Sequence, residues 1–356
     1  MYDHAIVGAG IAGASVAALL EGETVLLEAE DTPGYHSTGR SATFWHETLG
    51  GRLVQQLTTA SGPYLRAGGY LSPRRTLNVA EEGSEALLEA MAARFAGTPV
   101  RLTRIGRDAL LDYLPHAAPT LIGALIEEDS ADIDAAALHA ARLTAFRKRG
   151  GAIETGFRVD AIMRDGDFWR IASGGRVIAA RMLVNAAGAW ADSVAALAGA
   201  TPLGVQPYRR TIVQARVDRE LPRDLPFTID VAGTFYFKAE GGNRVWASPH
   251  DETPVDAHDV APEELDVAIA IDRLETITGW RVLVVERKWA GLRSFAPDRV
   301  PVYGFDTRVP RFFWCAGQGG TGIQTSPAAA KLCAELLLGK APETDPTPYA
   351  PDRFGI

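Results

Sequence analysis

The chain has 356 residues, 47% of them hydrophobic and 22% charged, with a formal net charge of −8. This length accommodates two domains with a large buried core and argues against wholesale disorder. No Lys/Arg-rich block is present to meet phosphate, which sets aside nucleic acid as a partner, and Cys315 and Cys333 lack metal-ligand spacing and are too few for a disulfide framework.

The first predicted element is an apolar strand, His4–Val7, followed by Gly8-Ala9-Gly10-Ile11-Ala12-Gly13, an Ala-rich helix and a second strand at Thr24–Leu27. Apolar runs such as Ile11–Leu20 are about ten residues long, against roughly 20 for a bilayer crossing, so no membrane span is expected. Because the first strand begins at about Tyr2, no room is left for a secretory signal, and a reducing cytoplasm is the expected location. Further along, Asp134 caps a helix predicted over Ala135–Arg149, which feeds a strand at Ala152–Arg158. Met182–Ala191 repeats the passage from apolar strand to small-residue turn, through Asn185-Ala186-Ala187-Gly188-Ala189-Trp190. Thr211–Ala215, Thr234–Ala239 and Arg244–Ser248 read as antiparallel strands, and Glu263–Ile277 reads as a helix. Phe313-Trp314-Cys315-Ala316 then runs into Gly317-Gln318-Gly319-Gly320-Thr321-Gly322, with a helix from about Thr325 and a Pro-rich surface tail at Ala341–Pro351.

Strand, tight turn and helix recur at three distant places, the grammar of a parallel sheet covered by helices. The expected fold is an α/β Rossmann-like dinucleotide-binding domain (parallel sheet with helices) joined to an α+β substrate domain with an antiparallel sheet. The first is discontinuous, over residues 1–75, 130–204 and 288–356, and the second takes residues 76–129 and 205–287.

Within the first signature, Gly8 permits the tight turn, Gly10 lets the backbone approach a pyrophosphate, and Gly13 lets the helix pack on the strand. Glu28 ends the second strand, where a carboxylate can accept hydrogen bonds from a ribose diol. An NAD enzyme needs one such unit and a catalytic domain. Here the late Gly317–Gly322 turn adds N–H groups for a flavin pyrimidine edge or the pyrophosphate, and its glycines leave the face of a flat ring uncovered. The expected cofactor is therefore FAD.

The segment Gly34-Tyr35-His36-Ser37-Thr38-Gly39-Arg40-Ser41-Ala42 resembles the flavin-contacting loop of the D-amino acid oxidase superfamily. Trp289-Ala290-Gly291-Leu292-Arg293-Ser294-Phe295, with Asp298 and Pro301, resembles that superfamily's late motif. The similarity runs over nearly the whole chain, including Ala131–Asp134, Val184–Trp190 and Gly319–Ser326, and points within the superfamily to the D-arginine dehydrogenases. It implies a noncovalent FAD site made of Gly8, Gly10, Ile11, Ala12, Gly13, Glu28 and Ala29, of Ser37, Thr38, Gly39, Arg40, Ser41, Ala42, Thr43 and Phe44, of Val159 on the adenine side, of Ala187, Gly188 and Trp190, and of Gly319, Gly320, Thr321, Gly322, Ile323 and Gln324. Some relatives attach the flavin through Cys or His; here Cys315 reads as a core residue on a strand and His36 as a loop residue.

The same resemblance implies oxidation of a D-amino acid to the imino acid by hydride transfer from Cα to the flavin N5. It places Arg210, Tyr236 and Arg293 at carboxylate-binding positions, where the planar guanidinium fork suits the ligand, and gives Gly320 a carbonyl facing the substrate amine. Arg209 points the other way from Arg210 by the two-residue strand period. The substrate ammonium must lose a proton, and His46, two residues beyond Phe44 where the relatives carry histidine, is a candidate to accept it. Asp132 and Asp134 look like a metal pair but are better explained by capping a helix and tying down a loop, so no metal is expected. Leu49 stands where a tyrosine covers the substrate in the D-arginine pattern, and Thr76 where a glutamate reads the guanidinium, which favours an apolar or small side chain. A secondary amine such as sarcosine or proline, a 2-hydroxy acid, and a non-catalytic FAD-binding partner protein remain as alternatives, and the electron acceptor, oxygen or a quinone or another, stays open.

Overall fold

The computed structural model describes residues 1–355. Its first sheet is organised by Tyr2–Val7, which pairs in parallel with Thr24–Leu27 on one side and Arg176–Asn185 on the other. Ala152–Glu154 and Phe312–Ala316 extend the parallel part outward. Ala161–Asp165, Phe168–Ser173 and Val302–Phe305 add antiparallel strands. Both faces of the central strand are covered over its second half, where Ala5, Ile6 and Val7 run apolar without alternation. Ile6 packs with residues of the helices Ile11–Ala17, Ala135–Lys148 and Gly322–Leu337, while Ala5 and Val7 pack on the opposite face with Trp169, Val194 and Trp314. Each large apolar side chain buried here contributes roughly 1.5–3 kcal/mol.

The second sheet runs Gln318–Gly319, Val282–Phe295, Gln206–Val217, Arg244–Ser248, Tyr236–Gly241, Phe227–Asp230, Thr76–Glu81, Leu121–Glu127 and Leu102–Gly106. Its pairs are antiparallel except for Phe227–Asp230 beside Thr76–Glu81. Val267, Ala270, Leu274 and Ile277, at helical spacing on Glu264–Thr278, close its core against Val213, Ala215 and Phe237. Val282–Phe295 pairs with Gln206–Val217 along its length, so the domain boundary expected at residue 288 falls inside one continuous strand. A small sheet of Phe44–Trp45, Ala131–Ile133 and Leu71–Pro73 stands apart from both large sheets.

Two element boundaries differ from the sequence expectation. The strand expected over Ala152–Arg158 stops at Glu154, because Gly156 turns the chain in the left-handed region (φ +57°). Gly156 and Phe157 then donate their N–H groups to the carbonyls of Glu30 and Glu28. The last helix begins at Gly322 rather than Thr325 and contains Pro327. Proline cannot donate to the carbonyl four residues back, and the Ser326 hydroxyl donates to that Ile323 carbonyl instead (2.9 Å). No helix among the described residues is long and apolar enough to cross a membrane.

Asp134 accepts the Ala137 N–H at 2.8 Å and so caps Ala135–Lys148. Asp134→Ala is expected to lower stability by about 1 kcal/mol, read as a shifted denaturant midpoint with an unchanged slope. An unshifted midpoint would mean that the cap carries no load.

Candidate functional site

The first sheet delivers its turns to one cavity. At the end of Tyr2–Val7, Gly8 donates its N–H to Leu27 O (2.8 Å) and takes φ +102°; a Cβ there would lie 2.4 Å from Ala186 O. A Cβ on Gly13 would lie 2.0 Å from the Gly8 carbonyl oxygen, so only glycine lets this helix seat on this turn. Glu28 braces the turn from the next strand: one carboxylate oxygen accepts the Ala9 N–H (2.9 Å) and the other the Glu30 N–H (3.0 Å). Each oxygen keeps a lone pair for a further donor such as a ribose hydroxyl. Thr38 Oγ1 accepts the Ile11 N–H (3.0 Å) beside the place a Gly10 Cβ would occupy.

The cavity has a volume of about 480 Å³ and is lined by Glu28, Ala29, Phe157 and Val159, by the glycine turn, and by Arg210, Tyr236, His250 and Arg293. Ser37, Thr38, Arg40, Ser41, Ala42, Thr43 and Phe44 line it along one segment, Ala187, Gly188 and Trp190 along a second, and Gly319, Gly320, Gly322 and Ile323 along a third. The 37–44 segment lies on the late motif. Ser37 Oγ donates to Leu292 O (2.7 Å), Arg40 Nη1 to Val260 O (3.0 Å) and Ala290 O (3.3 Å), and Trp289 Nε1 to Arg40 O (3.1 Å). Lys238 Nζ donates to Ala42 O (3.3 Å) and pairs with Asp132 (3.2 Å), whose other oxygen takes Arg74 (2.7 Å). This trough, which opens along the glycine turn where a Cβ at Gly8 would strike the Ala186 carbonyl and runs past Glu28 and Val159, fits FAD.

Five expected site residues do not line the cavity. Gly13 packs the helix as described, and the Gly39 N–H closes a turn onto Gly34 O. The Thr321 hydroxyl donates to Gln318 O. Gln324 supports the wall from behind, donating Nε2 to His46 O (3.0 Å) and to Thr58 Oγ1 (2.9 Å). Thr76 corrects the substrate-pocket expectation. It is 0% exposed inside the second sheet, donates to Ser130 Oγ (3.0 Å), and lies opposite Phe227, whose ring does line the cavity. Leu49 is part of the wall. Of the residues considered for covalent attachment, Cys315 is buried in the core, and His36 lines the cavity with Nε2 on Glu30 (3.1 Å).

Arg210 and Arg293 sit on paired strands, opposite Gly291 and Tyr208 respectively, which puts them two residues apart on one face. Arg209 faces the other way and is held by Glu263 and Asp266. Arg210 is committed in part, with Nε donating to Asp251 O (2.8 Å) and Nη2 to Glu252 (3.3 Å). Arg293 is different. Its side chain is only 14% exposed, and its nearest carboxylate is Glu252 at 3.6 Å, which also holds Arg210 and Arg299. Burial, aided by the Arg210 charge, pushes its pKa down to about 9. A Cβ on Gly320 would lie 1.8 Å from the Arg293 guanidinium, so glycine is what lets that plane lie against the turn.

Around this cation the wall is aromatic and apolar. Phe44 stacks on Phe227 (4.4 Å between ring centres) and Phe227 on Tyr236 (5.4 Å), with Ile212 and Ile229 beside them. Two histidines line the same end. His46 and His250 each have a buried Nδ1 without a hydrogen-bond partner. Burial first, then Arg293, lowers the His46 pKa to about 3; burial, then Arg210 and Arg293, lowers that of His250 to about 2. Both are neutral imidazoles at working pH. Sequence reading missed His250, which no motif marks; it is set by a left-handed turn (φ +55°) in which its N–H donates to Ser248 Oγ.

The family described as "DAO: FAD dependent oxidoreductase" matches residues 3–336. Hydrogen cyanide synthase subunit HcnC of Pseudomonas aeruginosa is 27% identical over 219 residues, 60% of this chain and 51% of that protein, so the chain spans about half of that relative's length. The crystal structure of glycine oxidase from Geobacillus kaustophilus superposes with a TM-score of 0.85 and 22% identity over 98% of both chains. That of L-proline dehydrogenase from P. horikoshii gives 0.86 and 20% over 99% of this chain and 97% of its own. At these identities the two structures show a shared fold.

Because a Cβ at Gly13 meets the turn's backbone, Gly13→Val is expected to yield protein that does not retain FAD. Acid precipitation of the wild type is expected to leave yellow flavin in the supernatant. Flavin that stays with the pellet would mean a covalent link, and of the two attachment residues considered from sequence only His36 lines the cavity.

Proposed function

Since the chain belongs to the DAO family of FAD-dependent oxidoreductases, we propose that it oxidises the Cα–N bond of an α-amino acid, preferring a D-amino acid with an apolar side chain. The observation that carries this reading is Arg293, a buried guanidinium with a single shared carboxylate near it, at the aromatic end of the FAD cavity. A buried cation without full compensation is costly, and a substrate carboxylate would supply the missing anion through charge-assisted hydrogen bonds. Tyr236, 7% exposed and lining the same end, offers a phenolic donor to that carboxylate.

Bound FAD supplies the hydride acceptor; the chain's own residues hold and orient the substrate. With the carboxylate on Arg293, the amine is directed towards the Gly320 backbone and the two neutral imidazoles. His46 and His250 can each accept a proton on the free Nδ1, and the substrate's negative charge would raise their basicity above that of the empty site. Phe44, Leu49, Ile212, Phe227 and Ile229 form the side-chain wall, and the two acidic side chains lining the cavity, Glu28 and Glu30, belong to the cofactor strand and its turn. A guanidinium or ammonium tail would find no carboxylate there, which supports the apolar or small side chain that the sequence also favoured; the D configuration rests on the sequence resemblance. The stacked rings of Phe44, Phe227 and Tyr236 support a second reading, in which an N-alkyl group of a secondary amine packs against the apolar wall they form.

Anaerobic bleaching of the flavin tests both. D-Leu, D-Met and D-Phe are expected to bleach faster than D-Arg, with ammonia as product. A preference for D-Arg would overturn the apolar pocket, and faster bleaching by N-methyl amino acids without ammonia would favour the second reading. Arg293→Ala is expected to lower kcat/KM by about 10²-fold, the worth of two charge-assisted hydrogen bonds, with FAD retained. Arg210→Ala is expected to cost less, because two of its donors are already taken.

A further inference from the structure

The stretch of wall from His46 to Leu49, within reach of the Arg293 charge, depends on a residue outside the cavity. Glu127 ends the strand Leu121–Glu127, is 1% exposed and lines no part of the site. One of its carboxylate oxygens accepts the Glu47 N–H (2.5 Å) and the other the Thr48 hydroxyl (2.7 Å). Those two residues lie between His46 and Leu49, both of which line the cavity. Gly50 (φ +87°) follows and leads into the helix Gly51–Ala67, whose first residue also has positive φ (+80°). Gln324 holds the His46 end of this turn, so Glu127 supplies the second fixed point.

We propose that Glu127 is a positioning residue whose ionised carboxylate fixes the 46–50 turn as the wall of the substrate site, so that its protonation loosens substrate binding. The proposal rests on the reading of this cavity as the site of an apolar amino acid. In the ionised form both oxygens accept, and both bonds to the turn are charge-assisted. On protonation one oxygen becomes a donor, the Thr48 hydroxyl must reverse its role, and the bond from the Glu47 N–H loses its charge assistance.

The surroundings put this change near neutrality. Burial raises the Glu127 pKa to about 7, against the opposing effect of its hydrogen bonds from Thr48 and Glu47. The Glu47 carboxylate, itself raised by burial and held by the Thr59 hydroxyl, adds repulsion from the turn. The other charged groups nearby are Arg66 on the helix, Asp129 paired with Arg101, and Glu128 paired with Arg75. Glu127 is therefore protonated below about pH 7 and ionised above it. Histidine titration would act with the opposite sign: a protonated His46 or His250 would draw a carboxylate ligand in as pH falls.

Benzoate, an apolar carboxylate without an amine, is the probe, with binding to the holoenzyme followed by the flavin spectrum from about pH 6 to pH 8. Wild-type affinity is expected to weaken by about tenfold as pH falls through 7. Glu127→Gln, which keeps shape but cannot ionise, is expected to show a flat profile at the weaker level. A Glu127→Gln profile identical to the wild type, or wild-type affinity that strengthens at low pH, overturns the proposal. Hydrogen exchange over residues 46–50 gives a reading independent of the clamp. Protection is expected to fall in Glu127→Gln and in the wild type at low pH, and unchanged protection also overturns the proposal. Should benzoate fail to bind the wild type at any pH while exchange responds as expected, the amino-acid reading of the cavity fails and the role of Glu127 in the turn stands.

Discussion

An arginine taken out of water must be compensated, and at Arg293 the protein supplies less than one full partner. Removing a guanidinium from solvent costs several kcal/mol unless hydrogen bonds and charge repay it. Glu252 is 3.6 Å away and is divided among Arg293, Arg210 and Arg299, which lies closer to it at 2.9 Å. The lowered pKa of Arg293 expresses the same shortfall. A cation in this condition suits an anionic ligand; its planar fork matches carboxylate and phosphate alike, and the proposed substrate brings the first.

The architecture is what makes such a residue tolerable. Pairing of Gln206–Val217 with Val282–Phe295 sets Arg210 and Arg293 on one face, while Gln318–Gly319 pairs with the end of the same strand and brings Gly320 under the guanidinium. The late motif serves two masters at once. Its Arg293 reaches the aromatic end of the cavity, and its carbonyls at Ala290 and Leu292 anchor Arg40 and Ser37 of the segment that lines the cofactor trough. Displacing this strand would therefore disturb both ends of the cavity together. The two uncharged histidines follow from the same burial that depresses Arg293.

Much of the fold could be read from sequence because its signals are local. The glycine turn after Tyr2–Val7, the Asp134 cap and the strand Arg244–Ser248 are encoded in adjacent residues. What was not legible depends on pairing across the chain. Thr76 was expected in the pocket, but a strand pairing invisible in either segment puts it inside the sheet beside Phe227, and Phe227 reaches the cavity. His250 escaped notice because a left-handed turn, and no motif, turns it inward. Glu127 was missed for a related reason: its partners, Glu47 and Thr48, are distant in sequence.

The central claim is that Arg293 recognises the substrate carboxylate, and a comparison of acid with amide tests it directly. Flavin reduction by D-leucine and by D-leucinamide would be timed in the wild type and in Arg293→Ala, all with FAD bound. The wild type is expected to favour the acid by about 10²-fold, and the variant to lose most of that preference, as a removed charge-assisted pair requires. Equal rates for acid and amide in the wild type, or a preference that survives in Arg293→Ala, would contradict the account.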